Sequence, residues 1–170
     1  MAAGASRPLS LQIADAILLL FFLVISLVAP LFDAQTCFPT RFFPQFLVDL
    51  NSWYANEYGD VLMLEKPGFF VGLIWLEIFF QWPLALANIV GIIGRKSWYR
   101  TTCLIYGVST SSGMVAILGE LIGSGKATDK LLMVYSPFLV LSLLAILRGL
   151  VTCSSSSSSI HLKSRRKKRV

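Results

Sequence analysis

Apolar positions in this chain fall into four long blocks instead of alternating. Residues 11–31, 69–93, 104–122 and 131–151 each reach the ~20 residues an α-helix needs to cross a bilayer. Barrel strands would place a polar residue at every second position, which the second and third blocks do not do. The pattern therefore predicts an all-α membrane protein, a bundle of four transmembrane helices that occupies nearly the whole length as one domain. Arg7 ahead of the first block gives it the outline of a secretory signal. Yet the apolar run from 16 to 32 is 17 residues long and begins after Asp15, against ~7–15 residues for a signal's core. We read it as a retained helix.

Between the first two blocks, residues 38–58 change period. Apolar side chains at 43, 46, 47, 50, 53 and 54 repeat as i, i+3, i+4, i+7, which predicts a short amphipathic helix. Pro39 and Pro44 bound its start. Its aromatic residues suit either the membrane interface or a lid folded over the bundle. Pro30, Pro83 and Pro137 lie inside spans, where each removes a backbone donor and predicts a kink. Three kinked helices open a cavity between them. Gly68/Gly72 and Gly119/Gly123 match the small-xxx-small spacing of helix–helix contacts, so a homodimer is expected.

Two polar residues break the second block. Glu77 and Gln81 are four apart and share a helix face. An ionisable group at membrane depth costs about 2.5–3.5 kcal/mol, so it faces a protected interior. Either the pair is interhelical glue, or it marks a polar spot in an apolar pocket. Asp33 closes the first block and Asp60 follows the amphipathic stretch. Each reads either as an end or turn residue or as a partner of Glu77. Carboxylates brought close share a proton and leave one negative charge for a cationic ligand.

Composition narrows the class. With 55% hydrophobic residues, 14% charged residues and a mean hydropathy of +0.70, the chain is outside the range of soluble domains. The net charge is +6, but Lys163, Arg165, Arg166, Lys167, Lys168 and Arg169 account for all of it. The basicity is thus local, and no nucleic-acid-binding domain is implied. Counting Lys and Arg in each connection puts both termini and the short segment 94–100 in the cytosol, and the first and third loops in the lumen. Cys37, Cys103 and Cys153 show no metal-ligand spacing, and no intrachain disulfide, metal or cofactor is expected. Cys153 is a palmitoylation candidate. Residues 152–170 read as a flexible serine-rich and basic cytosolic tail, following 1–10 as a cytosolic N-terminus and 11–151 as the membrane domain.

Taken in order, Asp33, Trp53-Tyr54-Ala55-Asn56-Glu57-Tyr58-Gly59-Asp60, Pro67, Glu77-Ile78-Phe79-Phe80-Gln81-Trp82-Pro83, Tyr106 and Val134-Tyr135-Ser136-Pro137-Phe138 resemble the sigma-2 receptor (transmembrane protein 97) family. The similarity covers about residues 11–150. That family belongs to the EXPERA-domain superfamily, which also includes a sterol isomerase, the emopamil-binding protein. The resemblance implies a four-helix endoplasmic-reticulum protein, commonly dimeric, that binds sterols and amphiphilic amines and is linked to cholesterol handling. It implies that Asp33 pairs with a ligand amine, with Asp60 supporting it. Glu77 and Gln81 would lie deeper, and Met63, Leu73, Tyr106 and Tyr135 would line the walls. Lys167 and Lys168 resemble a dilysine retrieval signal. The chain departs from the family at Gly113, where a threonine is usual, at Phe138, where a tyrosine is usual, and near Ile25, where animal members carry a histidine.

Three functions follow for testing. The first is a non-catalytic binder of sterol or lipid, acting in sterol trafficking or beside a sterol transporter. The second is a sterol double-bond isomerase, with Glu77 and Asp33 or Asp60 as acid and base. His161 is the only histidine and lies in the tail, which excludes a histidine shuttle. The third is a small transporter, although no inverted repeat is visible.

Overall fold

The computed structural model describes residues 8–167, with side chains described through Val151. Arg7 and Lys168 lie outside the described residues, as do the side chains of Cys153 and Lys167. Helix α1 spans Leu9–Leu31 and is followed by 3-10 turns at Asp33–Thr36 and Thr40–Phe42. Helices α2 (Gln45–Tyr58), α3 (Val61–Glu65) and α4 (Gly68–Leu76) come next. A π-helical turn at Glu77–Gln81 leads into α5 (Trp82–Ile93), then α6 (Tyr99–Gly123) and α7 (Asp129–Lys167). Four stretches are long and apolar enough to cross a membrane: Leu9–Thr36, Gly68–Ile93, Tyr99–Gly123 and Asp129–Val151. The protein is an all-α, four-helix membrane protein with no strand among the described residues.

Two boundaries differ from the sequence expectation. Helix α6 starts five residues before the apolar block because Tyr99 and Cys103 already face the core. The backbone of α7 continues through the serine run, where a flexible linker was expected, because neither glycine nor proline follows Gly149 to interrupt it.

Two of the three prolines inside spans are compensated in different ways. Pro30 cannot donate to the carbonyl of Ser26, and the Trp82 indole fills that place, its Nε1–H donating to Ser26 O at 3.0 Å. This stitches α1 to α5. Pro83 likewise cannot donate to Phe79 O, and the chain widens just before it, so that the Trp82 N–H reaches back five residues to Glu77 O. One wide turn thus replaces the kink that proline alone predicts. Helix α7 stays continuous through Pro137.

Helices α6 and α7 approach most closely at two glycines. A Cβ on Gly107 would stand 2.7 Å from Ser142 O, and one on Gly149 would stand 2.7 Å from Leu104 Cβ. Neither backbone can retreat, so only glycine fits. The expected dimer glycines are different: Gly68, Gly72, Gly119 and Gly123 have nothing within 4 Å of an added Cβ.

A buried ion pair closes the end of the bundle opposite the long first loop. Arg148 of α7 donates to both oxygens of Asp15 on α1, Nε at 2.7 Å and Nη2 at 3.0 Å. The Tyr99 hydroxyl adds a third donor at 3.2 Å, and the guanidinium lies over the Tyr99 ring at 5.5 Å. Such a pair is costly to half-remove and cheap to replace whole. Arg148→Leu is therefore expected to lose about 3–5 kcal/mol of stability, most of it regained in Asp15→Leu/Arg148→Leu. Thermal unfolding in detergent checks this, and equal loss in single and double variants contradicts it.

Candidate intramembrane binding site

A cavity of about 210 Å³ lies between α1, α4, α6 and α7, at the half of the bundle nearer the first loop. Its walls are mostly apolar: Val28, Phe70, Leu73, Ile74, Met114 and Ile117. Seven residues singled out by sequence border it, namely Asp33, Met63, Leu73, Glu77, Gln81, Tyr106 and Tyr135. Gly113, Phe138 and Ile25, the three points of departure from the family pattern, border it too.

Glu77 and Gln81 begin and end the π-helical turn, and they behave differently. Gln81 is fully engaged across helices. Its Nε2 donates to Ser109 Oγ at 3.0 Å, and its Oε1 accepts from Thr110 Oγ1 at 3.2 Å. The glue reading therefore describes Gln81. Glu77 borders the cavity, and among the described residues no group donates a hydrogen bond to its carboxylate. Asp33 heads the 3-10 turn that ends the first span, and its carboxylate likewise receives no donor among the described residues. The cavity thus presents two carboxylates whose acceptor capacity the protein leaves unused.

Asp60 is built in the opposite way and does not border the cavity. It caps α3, its Oδ1 accepting from the N–H groups of Leu62 and Met63 at 3.1 and 3.3 Å. Its Oδ2 accepts from Tyr135 at 2.8 Å and Tyr54 at 3.3 Å. Fully buried, it ties α2, α3 and α7 together behind the cavity wall. Burial, with the Asp60 charge added, holds the Tyr54 phenol well above its usual range, so it remains a donor.

The amphipathic helix folds over the loop end, but with a different face from the one the period suggested. Phe46, Leu50 and Trp53 are exposed, whereas Ala55 is buried and Leu47, Asn51, Tyr54 and Tyr58 turn partly inward. The apolar count missed the polar pins that set this rotation. Asn51 Nδ2 donates to Phe32 O at 3.0 Å, and Gln35 Nε2 donates to Leu47 O at 3.2 Å. Gly59, at φ 61°, makes the left-handed exit that sends the chain on to Asp60.

Sequence reasoning passed over Thr110, Tyr54 and the Asp15–Arg148 pair. Thr110 sits four residues after Tyr106 on one helix face, a spacing that could have flagged it. Arg148 interrupts an otherwise apolar block, a signal as strong as Glu77. Among the described residues, no cluster of three metal-ligating side chains forms.

An intramembrane cavity with acidic groups on apolar walls defines a multi-pass helical protein built around a ligand-sized hollow. Comparison with known proteins gives the family. The profile described as EXPERA (EXPanded EBP superfamily) matches residues 46–149, and the chain belongs to this family. Among curated proteins it is similar to Sigma intracellular receptor 2 of Homo sapiens, 30% identical over 112 residues, covering 65% of this chain and 64% of that protein. The Macaca fascicularis protein of that name is 33% identical over 87 residues, covering 51% of this chain and 49% of the relative. The Xenopus tropicalis one is 27% identical over 130 residues, covering 69% and 76%. The chain therefore spans a little under two thirds and about half the length of the human and macaque proteins. The resemblance read from the ordered motifs is the family found.

The contrast between the carboxylates is measurable without a ligand. Asp60→Ala strands two phenols and two N–H groups, at about 1–3 kcal/mol for each group left unsatisfied. It should lower the thermal midpoint well below that of wild type. Asp33→Asn and Glu77→Gln remove charges that no protein group answers, and they should leave the midpoint unchanged or raised. Equal destabilisation by all three would contradict the distinction.

Proposed function

We propose that the chain is a non-catalytic receptor for sterols and amphiphilic amines, held within the endoplasmic-reticulum membrane with both termini in the cytosol. The observation that carries this reading is the pair of carboxylates, Asp33 and Glu77, which border one apolar cavity with no donor to either among the described residues. An amine finds there the charge-assisted hydrogen bonds that the protein does not make, and a rigid apolar body fills the remainder. Asp60 supports the site by bracing Tyr54 and Tyr135. Homodimerisation, a role in sterol homeostasis and partnership with a sterol-transport protein belong to the same proposal. The name shared by the curated relatives, a receptor, agrees with binding.

Turnover is the weaker reading. Isomerising a sterol double bond needs an acid and a base each held in place beside the reacting carbons. Among the described residues, none orients Glu77 or Asp33 by a hydrogen bond.

Equilibrium binding of a radiolabelled amphiphilic amine to the purified protein tests the proposal. Asp33→Asn should weaken binding by about tenfold or more, the value of one charge-assisted bond, with Glu77→Gln also weaker. Absence of saturable binding to folded wild type would sink the ligand class.

A further inference from the structure

The glycines inside the spans differ in what surrounds them. At Gly91, Gly107 and Gly149 an added Cβ would stand 2.7–2.8 Å from a neighbour, so close packing demands glycine there. Gly68, Gly72, Gly119 and Gly123 are exposed and have nothing within 4 Å. Gly113 belongs to neither group. It is buried in the interior of α6, yet a Cβ there would meet only Leu73 Cδ2, at 3.6 Å, an ordinary contact. A glycine inside a helix is less favourable than an alanine, and no close approach requires one here. Because Gly113 borders the intramembrane cavity, the missing side chain leaves a recess in the cavity wall. We infer that Gly113 determines specificity, its recess receiving an alkyl branch beside the polar end of the bound amphiphile. The inference rests on the binding function proposed above and adds the ligand shape that the site selects.

The recess is apolar and lies close to an acid. Leu73 stands across it from α4, and Ile117 follows one turn along α6; both line the cavity. Thr110, one turn earlier on α6, donates its hydroxyl to Gln81 Oε1 at 3.2 Å. The position therefore suits an alkyl group better than a hydroxyl. Leu73 is one turn from Glu77, whose backbone N–H returns to the Leu73 carbonyl. A helical turn rises only about 5.4 Å, so a ligand whose polar end meets Glu77 brings the adjoining atoms of its skeleton to the recess. In a sterol the hydroxyl donates to the Glu77 carboxylate, and the neighbouring ring carbon, C4, comes to face Gly113. Methyl groups on C4 have their place there. In an amine the same place belongs to a branch on the carbon next to nitrogen.

The competing reason for a glycine at this position is helix packing between α4 and α6. That reason needs backbone pressed against the added Cβ, as Ser142 O and Ile146 N are at Gly107, 2.7 and 2.8 Å away. At Gly113 the near atom is the end of one leucine side chain, at ordinary contact distance.

Equilibrium binding of radiolabelled cholesterol and 4,4-dimethylcholesterol, which differ only in the two C4 methyl groups, decides the matter with the full chain in phosphatidylcholine nanodiscs. Wild type should bind the dimethyl sterol at least as tightly as cholesterol. Gly113→Ala and Gly113→Val should turn the ratio of the two Kd values against the dimethyl sterol, by about tenfold for valine, as one or two carbons in an apolar pocket do. Gly119→Val, on the exposed side of the same helix and outside the cavity, should keep the wild-type ratio. The thermal midpoint of Gly113→Ala should equal or exceed that of wild type, because no neighbour has to move. A lowered midpoint would make Gly113 a packing glycine and overturn the recess. So would a preference of wild type for cholesterol, or an unaltered ratio in both Gly113 variants, each of which leaves the binding function standing. Wild type that binds neither sterol removes the sterol-binding function itself, and the recess with it.

Discussion

Four donors converge on the buried carboxylate of Asp60, and the loop-side half of the molecule depends on that convergence. Two backbone N–H groups start α3, and the phenols of Tyr54 and Tyr135 arrive from α2 and α7. Asp33 and Glu77, in the adjoining cavity, have no donor among the described residues. In a low-dielectric interior an unanswered carboxylate is costly, which is why the pair is proposed as the place where a ligand is held.

The same accounting explains the backbone. Within a bilayer each polar backbone group must find a partner inside the protein. Pro30 and Pro83 both remove a donor, and the answers differ. The Trp82 indole replaces the first from a neighbouring helix. The second is absorbed by the π-helical turn, which places Glu77 and Gln81 at its two ends. At the opposite end, Arg148 and Asp15 answer each other, and Tyr99 answers both.

The four spans were legible because apolar length alone defines a membrane helix, and their observed ends differ by at most five residues. Glu77 stood out because charge inside an apolar block is rare, whereas Asp33 closes its block and only the ordered motifs pointed to it. The ordered motifs added the family, which the matching profile confirms. What could not be read was pairing over long chain separations. Nothing near Asp15 announces Arg148 or Tyr99. The rotation of α2 was hidden for a similar reason: its apolar residues occupy both faces, and the bonds from Asn51 to Phe32 O and from Gln35 to Leu47 O choose between them. Asp60 could be placed near the site from its order in the chain. That it braces the wall instead of facing the cavity follows only from the donors around it.

Photolabelling reads out whether the acid-lined cavity holds the ligand body. A photoreactive sterol is crosslinked to the full chain in nanodiscs, and the adducts are mapped by mass spectrometry. Adducts are expected on peptides carrying Glu77 and Tyr106, suppressed by excess amphiphilic amine. Adducts confined to outward residues such as Phe79 and Val115, both exposed, and indifferent to competitor would contradict it.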